Sequence, residues 1–230
     1  QVEVCEPDVS PLALQGPKAN DVASQVFGDW VKDLKFFHFR RFTHEGIPLV
    51  LCRSGWSKQG GFELFLEDET KGEQLWNLIW DAGEQFGIRA GGPNNVERME
   101  NFLFSWGSDA GRDCDPYESG IGNYVDLGAE HDFIGKAALK NKRAEGPDRE
   151  LKGLLIEGGP VDPNPAPVGL RNPNGSYAGQ TRIVCYSRKY QRNLGLAVVE
   201  VPHNLPGTKV QVETSDGWRP AIVADLPFDL

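Results

Sequence analysis

The sequence predicts an α+β fold that ends in a small antiparallel β-barrel or sandwich, and three observations predict it. Alternating apolar runs in hairpin order fill the first part of the chain. Helix signals with cap-like spacing interrupt them at Thr70 and Asn94. After Asn141-Lys142-Arg143-Ala144-Glu145-Gly146-Pro147-Asp148, a charged stretch closed by breakers, only short strands follow. The expected division is an α+β region over 1–145 and a β domain over 150–230. At 230 residues and 25.4 kDa the chain is long enough to bury a core in each.

From the N-terminus, Val2-Glu3-Val4 is strand-like, and Ser10-Pro11 and Gly16-Pro17 punctuate the next dozen residues. Ala19, Val22, Ala23, Val26 and Phe27 recur at helical spacing, so Lys18 to Phe27 is a short amphipathic helix closed by Gly28. Leu34 to Arg40 and Phe42 to His44 are predicted as strand, with Phe36, Phe37 and Phe39 buried by virtue of their size. Glu45-Gly46 turns the chain into a strand ending at Cys52, and Phe62 to Leu66 alternates again. Thr70-Lys71-Gly72-Glu73 has capping-box spacing for a helix to about Phe86, burying Leu75, Trp76, Ile79 and Ala82 and closing at Gly87. A second box, Asn94 to Glu97 after Pro93, opens a helix through Arg98, Met99, Phe102 and Leu103. Trp106 to Asp115 is a polar loop leading to Pro116 to Gly122 and a strand Tyr124 to Leu127. Beyond the breakers come strands at 151–156, 182–186, 194–199, 209–213 and 219–223, with turns at Asn174-Gly175 and Asp216-Gly217. Gly158 to Pro167 is a constrained loop.

Composition excludes several classes. Hydrophobic residues at 39%, charged residues at 25% and no long apolar run describe a globular chain without a membrane span. A net charge of -9 with scattered Lys and Arg argues against a nucleic-acid surface. Cys5, Cys52, Cys114 and Cys185 form no CxxC or Cys/His cluster, which suits a reducing, cytoplasmic setting and gives no metal site. There is no GxSxG elbow, HExxH, Walker A or complete Rossmann pattern, and His38 and His44 lack acidic or thiol partners at motif spacing.

The stretch Arg53-Ser54-Gly55-Trp56-Ser57-Lys58-Gln59-Gly60-Gly61-Phe62-Glu63 is the loop of a hairpin with a charged, Gly-rich, Trp-bearing tip. Trp56, Lys58, Gln59 and Glu63 offer an indole, an ammonium, an amide and a carboxylate, which suits a flat polar ligand; an ordinary surface hairpin carries the same residues. Arg98 and Glu100 are solvated helix positions or a surface salt bridge worth little. Tyr117 and Glu118 fit turn structure. Arg188, Lys189 and Arg192 around Tyr190 are a charged hairpin tip or a place for an anionic tail.

Several ordered motifs resemble one family. Leu12-Ala13-Leu14-Gln15-Gly16-Pro17, the Arg53 to Glu63 stretch, Leu75-Trp76, and Gly91-Gly92-Pro93-Asn94 with Glu97-Arg98-Met99-Glu100 are similar to the folate-dependent aminomethyltransferases, the T-proteins of glycine cleavage. Asp115-Pro116-Tyr117-Glu118-Ser119-Gly120-Ile121-Gly122, Asp132 to Leu139 and Asn193-Leu194-Gly195-Leu196-Ala197 continue the resemblance through nearly the whole chain. The Gly-Trp-Ser-Lys-Gln-Gly-Gly wording resembles the dimethylsulfoniopropionate demethylase branch more than T-protein itself.

The resemblance implies the C-terminal part of a T-protein-like multidomain fold, tetrahydrofolate as cofactor, a small-molecule methyl donor, and methyl transfer from a sulfonium such as dimethylsulfoniopropionate. It gives Glu63, Arg98 and Tyr117 to the cofactor and Trp56, Phe62 and Lys58 to the donor. Because the family's motifs before Leu12 are absent and the chain opens on Gln1, a missing N-terminal portion of the same protein is the expected partner, and the chain alone is expected to be an incomplete catalyst. Two rival functions are a folate-dependent demethylase or aminomethyltransferase with an amine donor, and a non-enzymatic folate-binding module.

Overall fold

The computed structural model describes residues 2–92, 94–163 and 167–230; the expectations that fall on Pro93 and on residues 164–166 lie outside the described residues. The chain divides into two compact units, Gln1–Pro93 and Asn94–Leu230.

The first unit is a four-stranded antiparallel sheet in the order β1-β4-β3-β2, formed by β1 (Ser10–Gln15), β2 (Phe39–His44), β3 (Ile47–Cys52) and β4 (Gly61–Leu66). Period-two alternation sends Ile47, Leu49 and Leu51 of β3 and Phe62, Leu64 and Leu66 of β4 to one face. There they share a core with Val22, Ala23 and Phe27 of α1 (Ala19–Phe27) and Leu75, Ile79 and Ala82 of α2 (Gly72–Gly83). Each of the buried Val, Leu, Ile and Phe side chains stabilises the unit by roughly 1.5–3 kcal/mol. The β2–β3 turn places both Glu45 (φ 48°) and Gly46 (φ 78°) in the left-handed region, the primed geometry that a two-residue hairpin needs.

Four expectations for this unit are corrected. Residues 2–9 form no strand, and among the described residues none pairs with them. Phe36, Phe37 and Phe39 are exposed. Parity explains Phe39: Phe42 turns inward, edge-on to Phe27 and Trp30 with ring centroids 5.6 and 5.2 Å away, so Phe39 three positions earlier faces out. Phe37 stands at φ 60°, which breaks the pleat before β2 begins. Trp76 is exposed and stacks on Trp80 at 5.8 Å, because Leu75, Ile79 and Ala82 already occupy the inward stripe. The cap before α2 is Asp68, whose carboxylate accepts from the Thr70 amide and hydroxyl; a 3₁₀ turn, Glu69–Lys71, comes between it and the helix.

In the second unit Asn94 caps α3 (Asn95–Glu100) as the spacing predicts, accepting from the Glu97 amide at 2.8 Å. The helix stops short of Leu103. Phe102 takes φ 46° and the Leu103 amide donates back to Arg98 O at 2.9 Å, a Schellman-type end. Tyr124 to Leu127 is not a strand: Tyr124 and Val125 amides donate back to Ile121 and Gly122 carbonyls, closing a local 3₁₀ turn. After α4 (Lys136–Glu145) a closed barrel follows in the order β10-β5-β8-β7-β6-β9. Its strands are β5 (Arg149–Ile156), β6 (Gly169–Arg171), β7 (Tyr177–Ser187), β8 (Arg192–Glu200), β9 (Lys209–Thr214) and β10 (Gly217–Ala224). The five predicted strands are present, and the three-residue β6 is an addition that composition does not signal. Leu154, Ile156, Leu170, Val184, Val199, Val212 and Val223 pack in one cluster, and Met99 of α3 packs with Leu151, Ile183, Leu194 and Leu196 in a second. Among the described residues no helix is long and apolar enough to cross a membrane.

Candidate functional site

The β3–β4 hairpin carries Trp56, Lys58, Phe62 and Glu63 together. Its loop is held from beneath by the end of β1. The Gln15 amide nitrogen donates to Ser54 O at 3.2 Å, Phe62 O at 3.1 Å and Leu14 O at 3.3 Å, while its oxygen accepts from the Ser57 hydroxyl at 2.8 Å. Ser57 Oγ in turn accepts from the Gln59 amide at 3.1 Å. Arg53 donates to Asn20 and lies over the Phe62 ring, 4.5 Å from its centroid. Phe62 itself is fully buried in the core, so it supports the loop from below.

Glu63 is half-buried on the sheet face opposite the helices, where β4 pairs it with Cys52 and with Ala13. The Ser54 hydroxyl donates to its Oε2 at 2.5 Å. Oε1 has no hydrogen-bond donor among the described residues, so the carboxylate is fixed at one oxygen and able to accept at the other. Partial burial, with the Glu63 charge adding to it, pushes the Cys52 thiol up from its ordinary value, so this cysteine is neutral beside the carboxylate. Trp56 is 43% exposed. Lys58 is exposed at φ 55°, a left-handed position at the tip.

Arg98 and Tyr117 belong to the second unit. Arg98 is 2% exposed and Asp109 0%; the guanidinium donates to Asp109 Oδ2 at 2.6 Å and to Leu103 O at 3.1 Å. The Ser105 amide also donates to Asp109 Oδ2, at 2.8 Å, so this pair closes the loop that follows α3. Tyr117 follows Asp115 and Pro116 in a reciprocal box: Asp115 Oδ1 accepts from the Tyr117 and Glu118 amides, and Glu118 Oε2 accepts from the Asp115 amide at 2.9 Å. Glu118 also accepts from Arg149 Nε at 3.1 Å, tying the turn to β5. The Tyr117 hydroxyl is buried without a hydrogen-bond partner among the described residues. Such an orphaned polar atom fits a ligand or a water. Among the described residues no group of His, Cys, Asp and Glu gathers as a metal site.

Sequence reasoning missed Gln15, Ser54, Asn20 and Asp109. Gln15 stands inside a motif noted for its resemblance alone, and nothing in its spacing says that its amide reaches a loop some forty residues away. Asp109 is one of three acids in a polar loop, and only folding selects it for Arg98.

A four-stranded sheet packed on two helices, succeeded along the chain by a closed six-stranded barrel, is an architecture shared with a known class. Residues 1–129 match the GCVT N-terminal domain and residues 149–229 the glycine cleavage T-protein C-terminal barrel domain. The chain belongs to this aminomethyltransferase family. Among its relatives, dimethylsulfoniopropionate demethylase DmdA of Ruegeria pomeroyi is 43% identical over 224 residues, covering 97% of this chain and 60% of that protein. An aminomethyltransferase of Bacillus cereus is 31% identical over 226 residues, covering 96% of this chain and 60% of that protein. The crystal structure of glycine cleavage system aminomethyltransferase T from Bartonella henselae shares the fold, with a TM-score of 0.77 and 22% identity over 95% of this chain and 59% of that one. The chain thus spans about 60% of the length of the curated relatives it matches.

Proposed function

We propose that the β3–β4 hairpin is the pterin-recognising element of a tetrahydrofolate-dependent methyltransferase whose donor is a sulfonium such as dimethylsulfoniopropionate. The observation that carries it is Glu63, a carboxylate pinned by Ser54 at one oxygen and able to accept at the other, on the same hairpin as the exposed Trp56. A pterin edge presents adjacent ring N–H and amino donors, which match a carboxylate. The greater likeness to the Ruegeria pomeroyi demethylase than to the Bacillus cereus aminomethyltransferase supports a sulfonium donor.

When bound, tetrahydrofolate supplies the N5 lone pair that accepts the methyl group. A sulfonium loses a neutral thioether, so no side chain is needed to protonate the leaving group. The chain's own contribution is orientation. Glu63 fixes the acceptor, the Trp56 face holds the onium cation by roughly 0.5–2 kcal/mol, and the Lys58 ammonium offers a counter-charge to a donor carboxylate. Alignment of this sort can supply about 7–11 kcal/mol of a barrier. Phe62 acts by holding Arg53 and the loop in place, Arg98 by fixing Asp109, and Tyr117 through its unpartnered hydroxyl. Turnover requires, in this proposal, the remaining part of the relatives' length. The second reading, an amine donor, draws on the Bacillus cereus aminomethyltransferase.

Titration of the chain with tetrahydrofolate tests the cofactor. Glu63→Gln preserves volume but removes the charge, and is expected to weaken binding about ten- to hundredfold. An unchanged dissociation constant overturns the assignment. Trp56→Leu is expected to weaken a sulfonium donor about two- to thirtyfold while leaving its neutral thioether analogue unaffected. Equal affinity of the wild-type chain for the two compounds, with tertiary amines preferred, would move the donor to the amine class.

A further inference from the structure

We infer that Gln15 is a positioning residue, one amide that sets the place of the Trp56 indole relative to the Glu63 carboxylate. Its contacts lie on both sides of Trp56, at the Ser54 carbonyl and the Ser57 hydroxyl, and on the strand residue just before Glu63, at the Phe62 carbonyl. The orientation of the amide is fixed by its neighbours. Carbonyls accept only, so the nitrogen must face Ser54, Phe62 and Leu14, and the oxygen is left for the Ser57 hydroxyl. No other residue type of that length carries two donors and an acceptor at one planar end: Glu lacks the donors and Lys the acceptor.

Two glycines show that the loop is closed down on this side chain. A Cβ at Gly55, immediately before Trp56, would lie 1.9 Å from Gln15 Oε1 and 2.3 Å from Nε2. A methyl group fits there only if the amide leaves its hydrogen bonds. At Gly61, which stands at φ 139°, a Cβ would lie 2.2 Å from Leu14 O and 2.8 Å from Gln15 Cα, so the strand end also meets β1 without clearance. The Gly16 amide completes the seam by donating to Gly60 O at 2.9 Å. The residues on which donor and cofactor recognition are proposed to rest, Trp56 and Glu63, therefore hang from a common anchor. This goes deeper into the proposed function and rests on the hairpin as the ligand-bearing element.

The test is a cycle of Gln15→Ala, Gly55→Ala and the double variant, with two readouts. The first is the ¹⁹F spectrum of the chain labelled with 5-fluorotryptophan, in which six indoles report separately and Trp56→Phe assigns the relevant line. Each single variant is expected to shift or broaden the Trp56 line and leave the other lines in place. The double variant is expected to be no worse than either single one, since the added methyl then occupies the space the amide has vacated. The second readout is tetrahydrofolate affinity, expected to fall about five- to tenfold in each single variant, with no further loss in the double. A lowered melting temperature with an unmoved Trp56 line, or additive losses in the double variant, would overturn the positioning role. Failure of the wild-type chain to bind tetrahydrofolate would overturn the proposed cofactor instead, and the ¹⁹F cycle would still decide whether Gln15 places Trp56. If the single variants aggregate, Ser57→Ala, which removes the donor to Gln15 Oε1 together with the acceptor of the Gln59 amide, must produce the same Trp56 shift for the inference to stand.

Discussion

Cys185 lies on β7 among Met99, Ile183, Leu194 and Leu196, and burial there pushes its thiol up from 9.0 to about 12, with Glu100 adding to the rise and Arg98 opposing it. Above the ordinary thiol value the unfolded chain gives up this proton while the folded chain keeps it, so the stabilising contribution is whole below about pH 9 and is lost as pH rises toward 12. Cys185→Ala is expected to flatten that fall, the difference between wild type and variant shrinking by up to roughly 4 kcal/mol across the window. Urea denaturation at a series of alkaline pH values measures it, and parallel curves for the two proteins would contradict it. Arg98, nearby, shows what a sequence leaves out at this scale. Its place on a capped helix is legible from Asn94 and Glu97, but the direction of its guanidinium is not, because its partner Asp109 comes from a loop eleven residues on. Trp76 fails for a related reason: periodicity marks an apolar residue near the inward stripe and does not say that Leu75 already fills it.

At the scale of elements, turns are more legible than strand ends. Glu45-Gly46 is a turn in sequence and in structure, but Glu45 at φ 48° is a costly residue for the first primed position. Asn tolerates that conformation better, so Glu45→Asn is expected to raise stability by about 0.5–1 kcal/mol. The Glu45 side chain is exposed, and the Gln74 amide donates to its backbone carbonyl, a contact the substitution leaves intact. A thermal midpoint that is unchanged or lowered would show that the turn gains nothing from it. The stretch Leu34 to His38 reads as strand because aromatic residues favour pleated surfaces. Instead the Phe37 amide donates to Arg53 O and the Arg53 amide to His38 O, so this segment closes the root of the β3–β4 hairpin. No local propensity encodes that pairing.

For the whole molecule, a β-rich end is legible from turn spacing, and its closure into a barrel is not, since closure depends on β6 meeting both β7 and β9 through three residues. The compact units also divide at 93/94, while the breakers at 141–148 suggest a boundary there; Met99, fully buried against Leu151 and Leu196, is the physical reason that α3 goes with the barrel. Met99→Ala is therefore expected to destabilise the second unit by about 2–5 kcal/mol, read as a lower urea midpoint in near-UV circular dichroism of the chain. A loss under about 1 kcal/mol would mean that α3 covers the barrel loosely. Closure has a further consequence, for self-association. A closed barrel offers no rim of unpaired amides to another chain, whereas the open sheet of the first unit ends at β1 and β2. β1 carries Pro11, which has no N–H to offer, and β2 carries the adjacent cations Arg40 and Arg41. Both strands exposed to a template thus carry residues unsuited to cross-β stacking.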